Sequence, residues 1–536
     1  MSQGPSDWRN GLAAADRLYR AGDMTGALAA LDEILAAPYP DQVVPLNGGA
    51  LLIDIGNALK RLDLVDRGTS LLESIRGSVG EESSRVSLEY DLANGYSYRG
   101  QLTLRQQGAW TAWGIQENED TQLAKTTLSE LLLAEGGRGK PEAWVNLGAT
   151  LSHLGRPIDA LDAYDAALRL DPTHPGALGT RGKELLWLTP HLGPMARATA
   201  IEAGRHLARA LASERLGDIL GPGIRAHWTK SLEEIERKTG TKISTNDAPI
   251  HPPADLSRLS APVREYVEFC RDRHLFLTWH LLDEGAEHAL GDHMFIRTIE
   301  SPAPASRFEA LAPIVNQIKE DYATARYLLF LSSRQTKERD EINELTELVM
   351  LEERSYFNLY GGLGKAAFGH AFDVLDKIAF LLNQYLGIGL KSDRVHFSNF
   401  WRHLEDSKLP AAKIRVTPVI RAIPSRLLVG IVDLARDLDR EQFRRVRRIR
   451  NALTHRCLVL TDGHTETREV DGVLYVPWRA MRRESLRTLR LARSAIFSLI
   501  AFISEWEQKQ AGDRCHHTVN IQVPSGQTIP PPPDPL

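Results

Sequence analysis

The densest concentration of chemically useful side chains is the segment FRRVRRIRNALTHR, Phe443 to Arg456. Six arginines fall between Arg444 and Arg456, with no acidic residue among them. At about 100° per residue, a helix sorts this segment into two faces. Val446, Ile449, Leu453 and Cys457 fall on the face expected to be buried. Arg444, Arg448, Asn451 and His455 stack on the opposite face at spacings of three and four. Arg450 falls on the flank of the core face, where a long side chain still carries its guanidinium outward. A planar guanidinium suits phosphate, and an imidazole, with an ordinary pKa of about 6.5, exchanges protons near neutrality.

The run Arg450-Asn451-Ala452-Leu453-Thr454-His455 resembles the Arg-x(4–6)-His motif of HEPN domains, including the polar residue the family favours directly after the arginine. The upstream segment VLDKIAFLLNQYLG, Val374 to Gly387, resembles the core helix of the branch in which a HEPN domain follows helical repeats. The resemblance covers roughly Val315–Gln508. It implies a small helical bundle and metal-independent RNA cleavage, with no cofactor. Catalysis then falls to Arg450, Asn451 and His455. His455 takes a proton from a ribose 2′-OH or gives one to the 5′-oxygen leaving group. Arg450 stabilises charge on the scissile phosphate, and Asn451 orients either partner. Arg444, Arg447 and Arg448 hold neighbouring RNA phosphates. The resemblance also implies a homodimer in which two motifs line one cleft, one His serving as acid and the other as base.

Plainer readings stand beside these. A histidine ending a helix interacts favourably with the last carbonyls. The arginine run is otherwise a solvated face paired with acidic residues such as Glu352 or Glu353. Lys377 beside Asp376 reads as a surface ion pair. A second loose match, Arg273 with His280, lacks the following Asn and sits in the more apolar stretch HLFLTWH. The alternative to an endoribonuclease is a scaffold whose HEPN-like part only binds RNA or dimerises.

Helices must position these residues, and the first part of the chain has helical repeats of its own. In Pro141–His174, Trp144, Leu147 and Gly148 are spaced as on a first helix, with Leu151 following. Ala160, Tyr164 and Ala167 follow on a second helix, which Pro172 ends. Small Gly148 and Ala160 let the helices cross closely, and Gly155 turns the chain between them. This is the pattern of a tetratricopeptide-type repeat. Degenerate copies begin near Ala15, Leu52 and Leu92, and such repeats must stack to bury their apolar faces. Such a solenoid presents a face to a peptide or protein partner.

The expected organisation is mostly α. Residues 1–212 form tetratricopeptide-like repeats, and 213–313 connect, with a linker at 239–255. Residues 314–508 form the HEPN-like bundle with a small β-hairpin, Cys457–Leu460 with Val473–Val476. Residues 509–536 form a disordered Pro-rich tail. Helices are expected at Val315–Arg334, Glu341–Leu359, Leu363–Leu386, Ser425–Asp437, Arg440–Arg456 and Ala480–Glu507. Leu256–Pro313 suggests no function.

Composition narrows the classes. The chain has 536 residues, too many for one core. A net charge of −4 gives no global sign of nucleic-acid binding, so such binding must be local. Three separated cysteines, Cys270, Cys457 and Cys515, support neither a disulfide framework nor a zinc site. No apolar stretch is long enough to span a bilayer, and the N-terminus lacks a signal-peptide pattern. A cytoplasmic protein without a membrane partner is expected.

Overall fold

The computed structural model describes residues 5–36, 42–219, 223–245, 254–279, 289–294, 296, 307–346, 355–401, 416–440, 443–462 and 466–511. Glu352, Glu353, His280 and the tail beyond 511 lie outside these residues, as does the middle of the linker, 246–253.

The first half is a stack of helix pairs. Pro5–Arg20 packs on Met24–Ala36, Val43–Leu59 on Leu62–Ile75, and Glu82–Gln106 on Glu119–Leu133. Pro141–His153 packs on Pro157–Leu170, and Pro175–Leu188 on Ala196–Leu211. Ile224–Thr239 closes this end against Ala196–Leu211. The first helices of successive pairs also touch one another, so the pairs share a continuous side.

The close crossing expected in the best repeat is present. A Cβ on Gly148 would lie 2.4 Å from the Tyr164 ring, so only glycine fits. Tyr164 and Leu147 are buried, whereas Trp144 and Leu168 only partly cover the seam. Gly155 adopts a φ of 78°, as the turn requires.

The second half is a helical bundle. Arg307–Ser332, Leu359–Tyr385 and Trp478–Ala511 pack on one another. Arg426–Leu438 lies between the bundle and the repeats, with eleven of its residues buried. Ala261–Arg271 packs onto Arg307–Ser332. There Arg326 donates to Asp292 at 2.9 and 2.7 Å and to the Leu275 carbonyl at 2.9 Å. This network ties the region of unassigned role into the bundle core.

The strands differ from expectation. β1 (Ser355–Tyr356), β2 (Cys457–Thr461), β3 (Arg468–Val470) and β4 (Val473–Pro477) form one mixed sheet in the order β1-β2-β4-β3. The expected partners do pair, Cys457 with Val473, but in parallel, so they are not a hairpin. The hairpin is β3 with β4, closed by Asp471 and Gly472 at φ 49° and 79°. Two successive residues at positive φ make the tight turn that suits a twisted ribbon. That reversal sets β4 alongside β2 in the same direction. The helix expected over Glu341–Leu359 is also corrected. Lys337–Glu344 is helical, 347–354 lie outside the described residues, and Ser355–Tyr356 pair with β2.

The two halves are joined by an enclosed set of charges. Lys125 lies 2.6 Å from both Asp433 and Asp437. Arg156 lies 3.2 Å from Asp433 and also pairs with Asp437. Gln122 donates to Asp433 at 2.8 Å. All four charged side chains are buried. Burial opposes ionisation of Asp433, but Lys125 and Arg156 outweigh it and hold the carboxyl well below its usual range. Gly155 and Gly430 let the backbones meet here. A Cβ on Gly155 would lie 1.9 Å from the Arg426 carbonyl, and one on Gly430 1.9 Å from the Gly155 carbonyl.

Candidate ribonuclease site

The motif helix runs Arg444–His455. Phe443 precedes it, buried under the Arg487 guanidinium at 3.6 Å. Val446, Ile449 and Ala452 are its buried residues. Leu453 is only partly covered and Cys457 is exposed, against expectation. The reason is local. The helix stops at His455, Arg456 turns extended, and Cys457 begins β2 instead of continuing the helical face.

Arg450 flanks the core, as its position on the wheel requires. Its Nη2 lies 3.1 Å from Asp376 Oδ2, and its guanidinium stands 4.7 Å over the Phe372 ring. Phe372 and Asp376 are one turn apart on Leu359–Tyr385, so one face of that helix supplies both contacts. Asp376 Oδ1 accepts from the Phe397 backbone N–H at 2.8 Å, which fixes the carboxylate. His396 Nδ1 lies 3.8 Å from the oxygen that Arg450 touches. Lys377, beside Asp376 in sequence, turns instead to Asp321, which His370 also approaches at 3.6 Å.

Asn451 and His455 are exposed, and neither side chain has a partner among the described residues. The helix ends at His455 itself, and Thr454 bonds back to the Arg450 carbonyl at 2.9 Å. Arg450 therefore faces its own bundle, while Asn451 and His455 face outward. One chain does not close all three around a single point.

The neighbouring arginines are not uniformly free. Arg447 donates to the Leu438 carbonyl at 2.5 Å, fastening the motif helix to the helix before it. Arg448 reaches Glu469 on β3 at 3.4 Å, and Arg456 reaches the same carboxylate at 2.7 Å. Arg445 lies 3.4 Å from Glu484. Arg444 is exposed and has interactions of its own. The acidic partners that can be described are thus Glu469, Glu484 and Asp376.

A cavity of about 400 Å³ opens at the start of Leu359–Tyr385, lined by Tyr356, Asn358, Gly361, Gly362 and Lys365. Lys365 donates to the carbonyl of Leu458, three residues beyond His455, at 2.7 Å. Burial lowers the Lys365 pKa. Elsewhere, Asp162, Asp165 and His274 bring ligand-type atoms within 4.8 Å of one another. Arg181 lies 2.6 Å from Asp165 and Arg493 lies 3.7 Å from Asp162, so this acidic charge is already balanced.

The sequence names Asp376 only as a surface partner of Lys377 and does not single out His396. Asp376 had a usable signal, its spacing of four from Phe372 beside a helix carrying an arginine run. His396 had none, because it lies on a separate connection 54 positions before Arg450 and meets Asp376 only through the fold.

A stack of helix pairs fastened to a helical bundle, with an Arg–Asn–x3–His stretch on a late helix, defines a two-part repeat-and-bundle protein. Comparison with known families gives each part its kind. The chain carries a tetratricopeptide repeat at residues 141–174 and an LA2681-like HEPN domain at residues 305–506. No curated protein matches the chain.

Proposed function

We propose that this protein is a metal-independent endoribonuclease whose HEPN domain cuts RNA with Arg450, Asn451 and His455. The observation that carries the reading is the fixed Arg450 guanidinium, gripped by Asp376 and Phe372, in a stretch whose Asn451 and His455 are left exposed. The Asp376 contact uses Nη2, leaving other guanidinium donors for a phosphate. In the proposed step, the ribose 2′-oxygen attacks phosphorus as one His accepts its proton. The bond to the 5′-oxygen breaks as a second His donates a proton. The products are a 2′,3′-cyclic phosphate and a 5′-hydroxyl. Arg450 and His455 diverge within one chain, so this reading calls for a homodimer with two motifs lining one cleft. Arg444 and Arg448 would hold flanking phosphates, and Arg447 would chiefly hold the helix.

The repeats would bind a protein partner and govern the bundle. The support is physical, because Lys125 and Arg156 of the repeats grip Asp433 and Asp437 on the helix directly before the motif helix. A stress or anti-phage response in the cytoplasm is the setting we infer for such a pairing. No helix among the described residues is long and apolar enough to cross a membrane.

The test is cleavage of labelled RNA by the purified full chain with chelator present. Wild type should release cyclic-phosphate ends, and Arg450→Ala and His455→Ala should each lose about a hundredfold or more, the scale of a lost acid–base or charge-stabilising group. Equal behaviour of wild type and His455→Ala rejects the nuclease. The engagement of Arg447, Arg448 and Arg450 with groups of their own chain favours the second reading, a non-catalytic domain on a repeat scaffold.

A further inference from the structure

The shared side of the first repeat helices holds carboxylates and phenols that the packing does not explain. Asp54 lies on Val43–Leu59, and Tyr90, Asp91, Asn94 and Tyr98 lie on Glu82–Gln106. Asp16 and Tyr19 lie on Pro5–Arg20, and Asn146 on Pro141–His153. Asp54, Tyr90, Asp91 and Tyr98 each keep part of their surface exposed while their polar ends are closely surrounded by protein. We read this continuous side, shared by the first helices, as a groove.

The charges there are unbalanced. Asp54 has no ion pair among the described residues, and Asp16, which adds negative charge near it, is itself paired with Arg20 at 2.8 Å. Burial, aided by Asp16, pushes the Asp54 carboxyl up to about 6. Burial pushes Asp91 up to about 7, with Lys140 pulling it down and Asp54 adding to the rise. The partly buried Tyr98 hydroxyl lies near Asp54, Tyr90, Tyr19 and Asp91 and makes no hydrogen bond among the described residues. Glu142 adds negative charge near Tyr90.

One end already shows what the groove accepts. The Lys140 ammonium sits 4.1 Å over the Tyr90 ring, within the attraction of Asp91. Beside it, Asn146 donates to Asn94 at 2.7 Å and to the Tyr90 hydroxyl at 3.1 Å. That leaves the Asn146 oxygen and the Asn94 amide hydrogens to meet a peptide backbone.

We propose that this groove binds a lysine- or arginine-rich extended segment of a partner protein, with Asp54 and Asp91 receiving its cationic side chains. The proposal rests on reading the repeats as a protein-binding platform and is independent of RNA cleavage. Its length favours a peptide over a small amine. Four first helices at the usual spacing of packed helices cover roughly 25–30 Å, the span of about nine extended residues. Binding depends on pH in a definite direction. A cation prefers the ionised carboxylates, so binding expels protons from Asp54 and Asp91 and tightens as pH rises through their range.

The test uses the full chain, free of RNA, and a labelled nine-residue peptide of alternating Lys and Ala, with a Glu/Ala peptide and spermine as comparisons. The Lys peptide should bind about tenfold or more tighter than either at pH 7.5, and should weaken by up to about a hundredfold by pH 5.5, since each proton released is worth tenfold per pH unit. Asp54→Asn with Asp91→Asn should remove both the preference and the pH dependence while circular dichroism stays helical. Glu233→Gln with Glu234→Gln, on the distant helix Ile224–Thr239, should change neither. Binding insensitive to the Asp54 and Asp91 changes overturns the proposal, as does equal binding of spermine. Preferential binding of the Glu peptide overturns the charge assignment but leaves the protein-binding platform standing.

Discussion

Asp376 and Arg450 meet across two helices, carboxylate Oδ2 to guanidinium Nη2 at 3.1 Å, with the Phe372 ring beneath the guanidinium. Arg450 therefore has a fixed direction before any phosphate arrives. Asp376→Ala frees it. On the proposed function, cleavage should then fall about ten- to a hundredfold, the scale of a misplaced catalytic group, mainly in kcat. Stability should change by only about 1 kcal/mol, because both partners are partly exposed. Asp376→Glu should recover part of the rate. Steady-state cleavage beside thermal melts separates the two effects, and unchanged kcat in Asp376→Ala removes the positioning role.

The parts of this molecule that follow local rules could be read from sequence. The repeat at Pro141–His174 needs small residues where helices cross, and Gly148 against Tyr164 satisfies that need. The motif helix follows its wheel at Val446 and Ile449, while Leu453 is only partly covered. The reading failed where long-range contacts decide. Cys457 left the buried face because a strand begins there, and the direction of β2 beside β4 depends on the turn at Asp471 and Gly472. At the site, Arg450 was placed on the correct flank. Its partner Asp376 reads from sequence as a surface pair with Lys377, but in the fold Lys377 turns to Asp321.

The joint between repeats and bundle should be brittle in a particular way. Lys125→Met leaves Asp433 and Asp437 buried with Arg156 as their close cation, Arg440 standing 4.0 Å from Asp437. Breaking such a set should cost about 3–5 kcal/mol, more than any surface pair. Gly155→Ala attacks the same joint without touching charge, since its Cβ would meet the Arg426 carbonyl and its φ is positive. Both variants should expose the connection near Arg426 to protease. Resistance equal to wild type in both would mean that the two halves do not depend on this contact.

Gly148→Ala tests the crossing inside the best repeat. Tyr164 is buried and has little room to retreat from a Cβ at 2.4 Å. The cost should be about 1–3 kcal/mol in a thermal or urea melt, as for an overpacked core. Gly77→Ala is the matched control, because its Cβ would meet nothing within 4 Å. A Gly148→Ala melt indistinguishable from that control would show that the helices can slide apart.

Asp54 gives the repeats a stability that depends on pH with a sign opposite to that of a paired carboxylate. Burial raises its folded pKa to about 6, above the usual value of 3.8. Between those two values the folded chain holds a proton that the unfolded chain has lost. Stability contributed at this position therefore falls as pH rises through that window, by at most about 1.4 kcal/mol per pH unit. Above pH 6 the folded protein carries the full cost of a partly buried carboxylate with no ion pair among the described residues. Asp54→Asn removes the titration. It should raise the melting temperature at pH 7.5 relative to wild type and bring little gain at pH 4, measured on the repeats' own transition if the melt resolves two. A Lys-rich peptide in the groove should narrow the same gap at pH 7.5, since a bound cation offsets the charge that Asn deletes. An Asp54→Asn gain that is equal at both pH values would mean that Asp54 is not the group whose proton links the groove to stability.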